Sequence, residues 1–229
     1  MIKVSKADHD RIAAAIAEAE RSTSGEIFCV LARQASEYRE TPLAWAAGAA
    51  LLLPLALVPL GFNPAWMPGF GDGWTAAHSS SLNVSVGVAL SAYALIQAVI
   101  FAVVAMLVSI PPVRRALTPR GLRAKRVRRA AMEQFLSKGL HQTAERTGVL
   151  IFAAFAERQV EVIADEGIYA KVAPELWGDA VAALTRALKE GRTADGFVEA
   201  IGLCGRVLAE HFPPGEQNPN ELPDKLVEI

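Results

Sequence analysis

Residues 146–168 read RTGVLIFAAFAERQVEVIADEGI. Between positions 148 and 155 no side chain is charged, and Val, Leu, Ile and Phe follow one another without alternation. A half-exposed strand would alternate with period two, so this is the pattern of a short strand covered on both faces. Ala156, Glu157, Arg158 and Gln159 supply a polar turn, and VEVIA at 160–164 returns as a second, imperfectly alternating strand. A two-stranded hairpin does not hold together alone in water, so the stretch demands a further strand and covering helices.

The rest of the chain offers those pieces. Ahead of the hairpin, residues 123–146 form a helical pattern with Val127, Ala131, Phe135 and Leu140 among its apolar positions. Behind it, after Asp165, Glu166 and Gly167, two helices are expected. One covers about 169–190 and breaks near Pro174; the other covers about 194–211 with Thr193 as its cap. At the start of the chain, Ser5 and Asp8 resemble a capping box with Asp in place of the preferred Glu, opening a helix to about Arg21 whose stripe holds Ile12, Ile16 and Ala19. Residues 25–32, GEIFCVLA, then have the mostly apolar character of a buried strand. Residues 1–40 and 113–212 therefore read as one α/β domain, with 213–229 a C-terminal arm that docks through Leu222, Leu226 and Ile229.

Between the two parts the chemistry changes. From Thr41 to Gly71 there is no Lys, Arg, Asp or Glu, and after Asp72 none until Arg114. Residues 41–112 are expected to form a transmembrane helical hairpin, with spans at about 44–62 and 84–110; the first nearly crosses ~30 Å of hydrocarbon, and the second is longer and can tilt. Pro54 and Pro59 are tolerable kinks in a packed membrane helix. Gly48, Ala49 and Ala50, facing Gly87, Ala89, Ser91 and Ala94, suit close helix approach. The connection 63–81 holds Trp66 and Trp74, which with Trp45 mark the bilayer borders.

Beyond the second span lie Arg114, Arg115, Arg120, Arg123, Lys125, Arg126, Arg128 and Arg129, with no acidic residue until Glu133. Such a run stays inside, which places both termini in the cytoplasm of a multi-pass protein of the bacterial inner (plasma) membrane. Cations this close to a bilayer also attract anionic lipid headgroups, the first expected partner.

The whole chain is 52% hydrophobic and 21% charged, and its 23 basic against 24 acidic residues leave a net charge of -1. That balance excludes a protein that wraps nucleic acid. Two cysteines, Cys29 and Cys204, have no metal-ligand spacing and are expected as small buried side chains.

The order of these segments, with GRTADGFVEAIGLCG at 191–205 and the ending HFP…NELPD, resembles the TPM domain family. More narrowly, the chain looks like bacterial membrane members in which a two-span insertion follows the first strand. The resemblance implies a small α/β/α sandwich around a mixed sheet. The functions it implies diverge, from acid phosphatase activity to repair of a photosystem and accessory binding to a receptor.

Three carboxylates are the expected metal site. Asp165 and Glu166 leave the second hairpin strand, and Glu26 opens the first strand and joins them if both strand ends lie on one edge. The cation they would take is a hard one, Ca²⁺ or Mg²⁺. His141 and Glu145 have the spacing of a helical metal pair without a third ligand, and Glu157 with Arg158 reads as a surface ion pair. No nucleophile elbow, P-loop or phosphatase loop motif is present. No catalytic residue is assigned. The leading expectation is a non-enzymatic, membrane-anchored accessory module for an unidentified membrane protein complex. The alternative is a divalent-cation-dependent phosphatase.

Overall fold

The computed structural model describes residues 4–57, 82–143, 145–215 and 220–229. In chain order the elements are α1 (Lys6–Glu20), β1 (Glu26–Ala32), α2 (Glu40–Leu57), α3 (Leu82–Ser109), α4 (Pro111–Leu117), α5 (Arg120–Ser137), β2 (Gly148–Ala154), β3 (Gln159–Ala164), α6 (Glu166–Tyr169), α7 (Gly178–Glu190), α8 (Thr193–His211) and β4 (Leu226–Glu228). Turns of 3₁₀ helix occupy Leu140–Gln142 and Pro174–Trp177. They form two compact units, Met1–Glu37 with Arg120–Ile229 and, between them in sequence, Tyr38–Pro119.

The first unit is built on a four-stranded sheet in the order β3-β2-β1-β4. β1 runs parallel to β2 and to β4, and β2 pairs with β3 antiparallel. Every residue of β1 and β2 is buried, which is why neither segment alternates in the sequence. Ile27, Cys29, Val149 and Ile151 pack on one face against Ile12 and Ile16 of α1, Leu184 and Leu188 of α7, and Phe197, Ile201 and Leu208 of α8. Phe28, Val30, Leu150, Phe152 and Ile163 pack on the other against Val127, Ala131 and Phe135 of α5. Helices on both faces of a mixed sheet make the expected α/β architecture. Cys29 and Cys204 share the first of these cores, free and buried, and burial pushes the Cys204 thiol up to about 12.

Helix boundaries depart from the sequence reading in three places. The helix expected over 123–146 stops at Ser137, because Gly139 turns left-handed (φ 74°) and the chain tightens into the 3₁₀ turn. That turn crosses directly over β2. A Cβ on Gly148 would stand 2.5 Å from the Leu140 carbonyl oxygen, so only glycine fits there. Gly148→Ala is expected to cost about 2 kcal/mol, read as a lower thermal midpoint.

The helix expected over 169–190 is the single turn α6, a 3₁₀ turn beginning at Pro174, and α7. Finally, α8 already includes Thr193; its N-cap is Arg192, which makes no side-chain capping bond.

At the start of the chain the capping reading holds: Ser5 Oγ accepts the Asp8 amide at 3.1 Å. The arm contributes more than docking points, because Leu226–Glu228 pairs with β1 as β4. Ile229 extends that pairing: its amide donates to Leu31, and its carbonyl accepts from Arg33. Residues 216–219 of the arm lie outside the described residues.

In the second unit α2 packs along α3, and Ala46, Ala50 and Val108 are buried. Ser91 and Ala94 are exposed, and the burial of Gly87 and Ala89 lies outside what is described. Trp45 Nε1 donates to the Leu117 carbonyl at 3.2 Å, and Thr41 and Thr118 hydroxyls meet at 3.3 Å.

The described part of the first expected span ends at residue 57, so 58–62 with Pro59, and the 63–81 connection with Trp66 and Trp74, lie outside the described residues. The second expected span, 84–110, falls on α3. Among the described residues no single helix is long and apolar enough to cross a membrane. Tyr93–Ser109 and Pro111–Leu117 reach that requirement only as a pair bent by 98°, and the apolar helix Glu40–Ala56 is shorter.

Candidate functional site at an acidic strand end

The strand register decides which carboxylates meet. Glu26 pairs with Gly148, and the Asp165 amide donates to the Gly148 carbonyl at 2.9 Å. Glu26 and Asp165 therefore do lie at the same end of the sheet, in one row and two strands apart. Strand spacing separates them by about 10 Å. The backbone of Leu140 closes over Gly148 between them.

Asp165 and Glu166 are each engaged locally. Asp165 caps α6, its Oδ1 accepting the Glu166 amide at 2.7 Å, while Oδ2 is buried without a hydrogen-bond partner. Glu166 points outward and pairs with Arg146 at 2.8 Å. Glu26 instead is 4% exposed, and its Oε2 accepts the Leu222 amide at 3.1 Å. The three residues are thus not gathered round one point, and no group of three His, Cys, Asp or Glu among the described residues is disposed to hold a metal ion.

What gathers round Glu26 is a different set, on α1 and the C-terminal arm. Glu20, the last residue of α1, is 8% exposed, and its Oε1 accepts the Ile27 amide at 2.7 Å. Burial raises the Glu20 carboxyl to about 8, against the bond from Ile27; the charges of Glu26 and Asp224 and a side-chain hydrogen bond with Asp224 push the same way. Glu26 is raised too, chiefly by burial, although the Leu222 and Glu221 amides oppose it. Asn220 Nδ2 donates to Asp224 Oδ1 at 2.7 Å, holding the acidic turn in place. These contacts tie the arm to the end of α1 and the start of β1, and a protonated Glu20 has the hydrogen to share with Asp224. Sequence reasoning named Glu26 but not Glu20 or Asp224. The one available signal was a glutamate at the end of a helix, where the macrodipole disfavours it.

The other marked residues fall apart or change role. His141 sits in the 3₁₀ turn and Glu145 beyond it, so they share no α-helical face. Glu157 is 8% exposed and accepts the Ala35 amide at 3.1 Å, fastening the hairpin turn to the chain after β1. Of the eight cations, Arg114 and Arg115 belong to α4 and the other six to α5. Arg128 pairs with Glu161 at 3.5 Å and Arg129 with Glu133 at 2.9 Å, whereas Arg115, Arg120 and Lys125 are exposed.

Comparison with known proteins agrees with this architecture. The family model described as the TPM domain matches residues 115–207. That range takes in α5, β2, β3, α6, α7 and most of α8, while α1, β1 and β4 join the same sheet and cores from outside it. No curated protein matches the chain. Among solved structures, the NMR structure of the BA42 protein from the psychrophilic bacterium Bizionia argentinensis is similar, with a TM-score of 0.55 at 18% identity, covering 100% of this chain and 97% of that one. Likeness at that identity concerns the fold alone.

Proposed function

We propose that the chain is a membrane-anchored accessory module. In this reading Tyr38–Pro119 seats in the bacterial inner membrane, and the α/β unit, with both termini, docks on the cytoplasmic side with a protein of a membrane complex. Assembly, repair or stress handling of that complex is the role such tethering serves.

One observation carries the reading. Leu51, Leu52, Leu53 and Leu55 of α2 are 46–66% exposed, and Leu95, Val99, Met106 and Leu107 of α3 are 50–67% exposed. No charged side chain interrupts them over 41–57 or 82–113. Apolar patches of that extent are not stable against water and mark a lipid or protein contact. Trp45, bonded to Leu117 at the end of the helix that carries Arg114 and Arg115, fits the headgroup level. Exposed Arg115, Arg120 and Lys125 are then available to anionic lipids.

Carbonate extraction of membranes tests the anchor, with the full chain expected in the pellet and a variant with 41–112 replaced by a short Gly/Ser linker in the supernatant. A full chain found in the supernatant overturns the proposal. Sidedness is read with Lys125→Cys, because both native thiols are buried. An impermeant maleimide is expected to label it only after the cells are lysed, and labelling of intact spheroplasts would reverse the orientation.

The metal-dependent phosphatase remains the rival. It needs Asp165, Glu166 and Glu26 round one cation, whereas Glu166 is tied to Arg146 and Glu26 to the arm. Phosphomonoester turnover that requires Ca²⁺, Mg²⁺ or Mn²⁺ and disappears in Asp165→Asn would overturn the accessory reading.

A further inference from the structure

β3 is one edge of the sheet: β2 takes one side, and no described strand takes the other. The Asp165 amide points to β2, and the register pairs Ile163 with Leu150 and Glu161 with Phe152. Antiparallel ladders alternate, so Glu161 and Ile163 also direct their backbone groups to β2. Val160, Val162 and Ala164 direct theirs away from the sheet. Natural edges are usually blunted by lysine, proline or a bulge, and QVEVIA has none of the first two and a continuous register.

Val160 and Val162 of that row line a groove of about 410 Å³ with two unlike walls. On the α7 side stand Trp177, Val181 and the half-exposed Tyr169; on the α5 side stands Arg128. Trp177 is 4% exposed, and its indole Nε1 is buried with no hydrogen-bond partner among the described residues.

We propose that the β3 edge is a strand-addition site for an extended segment of a partner protein, with apolar side chains against Trp177 and Val181 and a carboxylate toward Arg128. The inference rests on the accessory reading and names how the partner is held. A row of outward amide and carbonyl groups repeating every second residue is complementary to another extended backbone. Side chains of an added strand alternate between the two walls, which sets the apolar and acidic requirement. Arg128 is open to the incoming carboxylate. Its bond to Glu161 is long at 3.5 Å, and its side chain is 60% exposed.

The test uses the full chain in detergent and a capped octapeptide alternating Val with Glu, beside the same peptide with Lys for Glu. The Val-Glu peptide is expected to shift the indole resonance of Trp177, assigned by its loss in Trp177→Phe, and to slow exchange of the Val160 and Val162 amides. Val162→Pro removes an outward donor while leaving the β2 ladder whole, and is expected to weaken the peptide by about tenfold. Arg128→Glu is expected to invert the preference toward the Lys peptide, which keeps the proposal testable if the proline variant does not fold.

No shift at any soluble peptide concentration, equal binding by folded Val162→Pro, or an unchanged preference in Arg128→Glu overturns the site. Concentration-dependent dimerisation that Val162→Pro abolishes overturns the partner assignment in favour of a second copy. Crosslinking in native membranes separates this failure from that of the accessory reading. Adducts that survive in Val162→Pro while the peptide does not bind sink the strand site alone. A complete lack of adducts with the native chain sinks the accessory reading, whatever the peptide does.

Discussion

Phe152→Ala is expected to destabilise the α/β unit by about 4 kcal/mol, within the range for removing a fully buried aromatic side chain. Phe152 is 0% exposed at the middle of β2, between β1 and β3. Its ring packs in the core that Phe28, Val30 and Ile163 form with Val127, Ala131 and Phe135 of α5. That face is covered by α5 and the turn after it, so little else can close over the cavity. Thermal unfolding followed by far-ultraviolet circular dichroism should show a midpoint lowered by roughly 8–16 °C for a unit of this size. A loss under about 1 kcal/mol would mean that α5 does not seal the sheet as described.

Glu20→Gln is expected to act in the opposite direction and only at higher pH. The Glu20 carboxyl has an ordinary value of 4.5 and is held at about 8 in the folded unit. Over that window the folded chain binds more protons than the unfolded chain, so stability falls as pH rises. The native arrangement is unpenalised below about pH 4.5 and carries the full penalty above about pH 8. Allowing for partial screening by water, the penalty is on the order of 3 kcal/mol.

Glutamine keeps an acceptor for the Ile27 amide and a donor toward Asp224 without taking a charge. The variant should match the native chain at pH 5 and exceed it by several degrees at pH 8.5, with a flatter pH profile between. Hydrogen exchange at Val227 and Ile229, on the strand that the arm adds, should slow in step. Parallel midpoint curves for the two chains would refute the assignment of Glu20 as the titrating group.

Much of the α/β unit was legible in the sequence because its strands are short apolar runs punctuated by polar turns. GEIFCVLA and GVLIFAA identify β1 and β2 by the lack of any alternation, and VEVIA identifies β3 by its partial alternation. β4 was not legible. It is three residues long, in a tail rich in Pro and Asn, and it is a strand only because β1 presents an unpaired edge beside it. The end of α5 was missed for a related reason: the apolar spacing runs on to Leu140, but Leu140 is buried from a 3₁₀ turn and not from the helix.

The candidate site divides in the same way. Asp165, Glu166 and Gly167 were visible as an acidic turn, and their roles in capping α6 and pairing with Arg146 are local. Glu20 and Asp224 are separated by 204 positions and become neighbours only when the arm lies along β1.

By itself the sequence determined the alternation of buried strands and amphipathic helices, the apolar interruption between them with Asp72 as its one acidic residue, and the basic run that follows. Each depends on side chains near one another in the chain, where spacing and polarity are enough to set local structure. Only the tertiary structure decided that Glu26 belongs with Glu20 and Asp224 rather than with Asp165 and Glu166, and that β3 lies at an edge of the sheet. Those outcomes depend on register and strand order, which arise when distant segments compete for the same hydrogen-bonding edges.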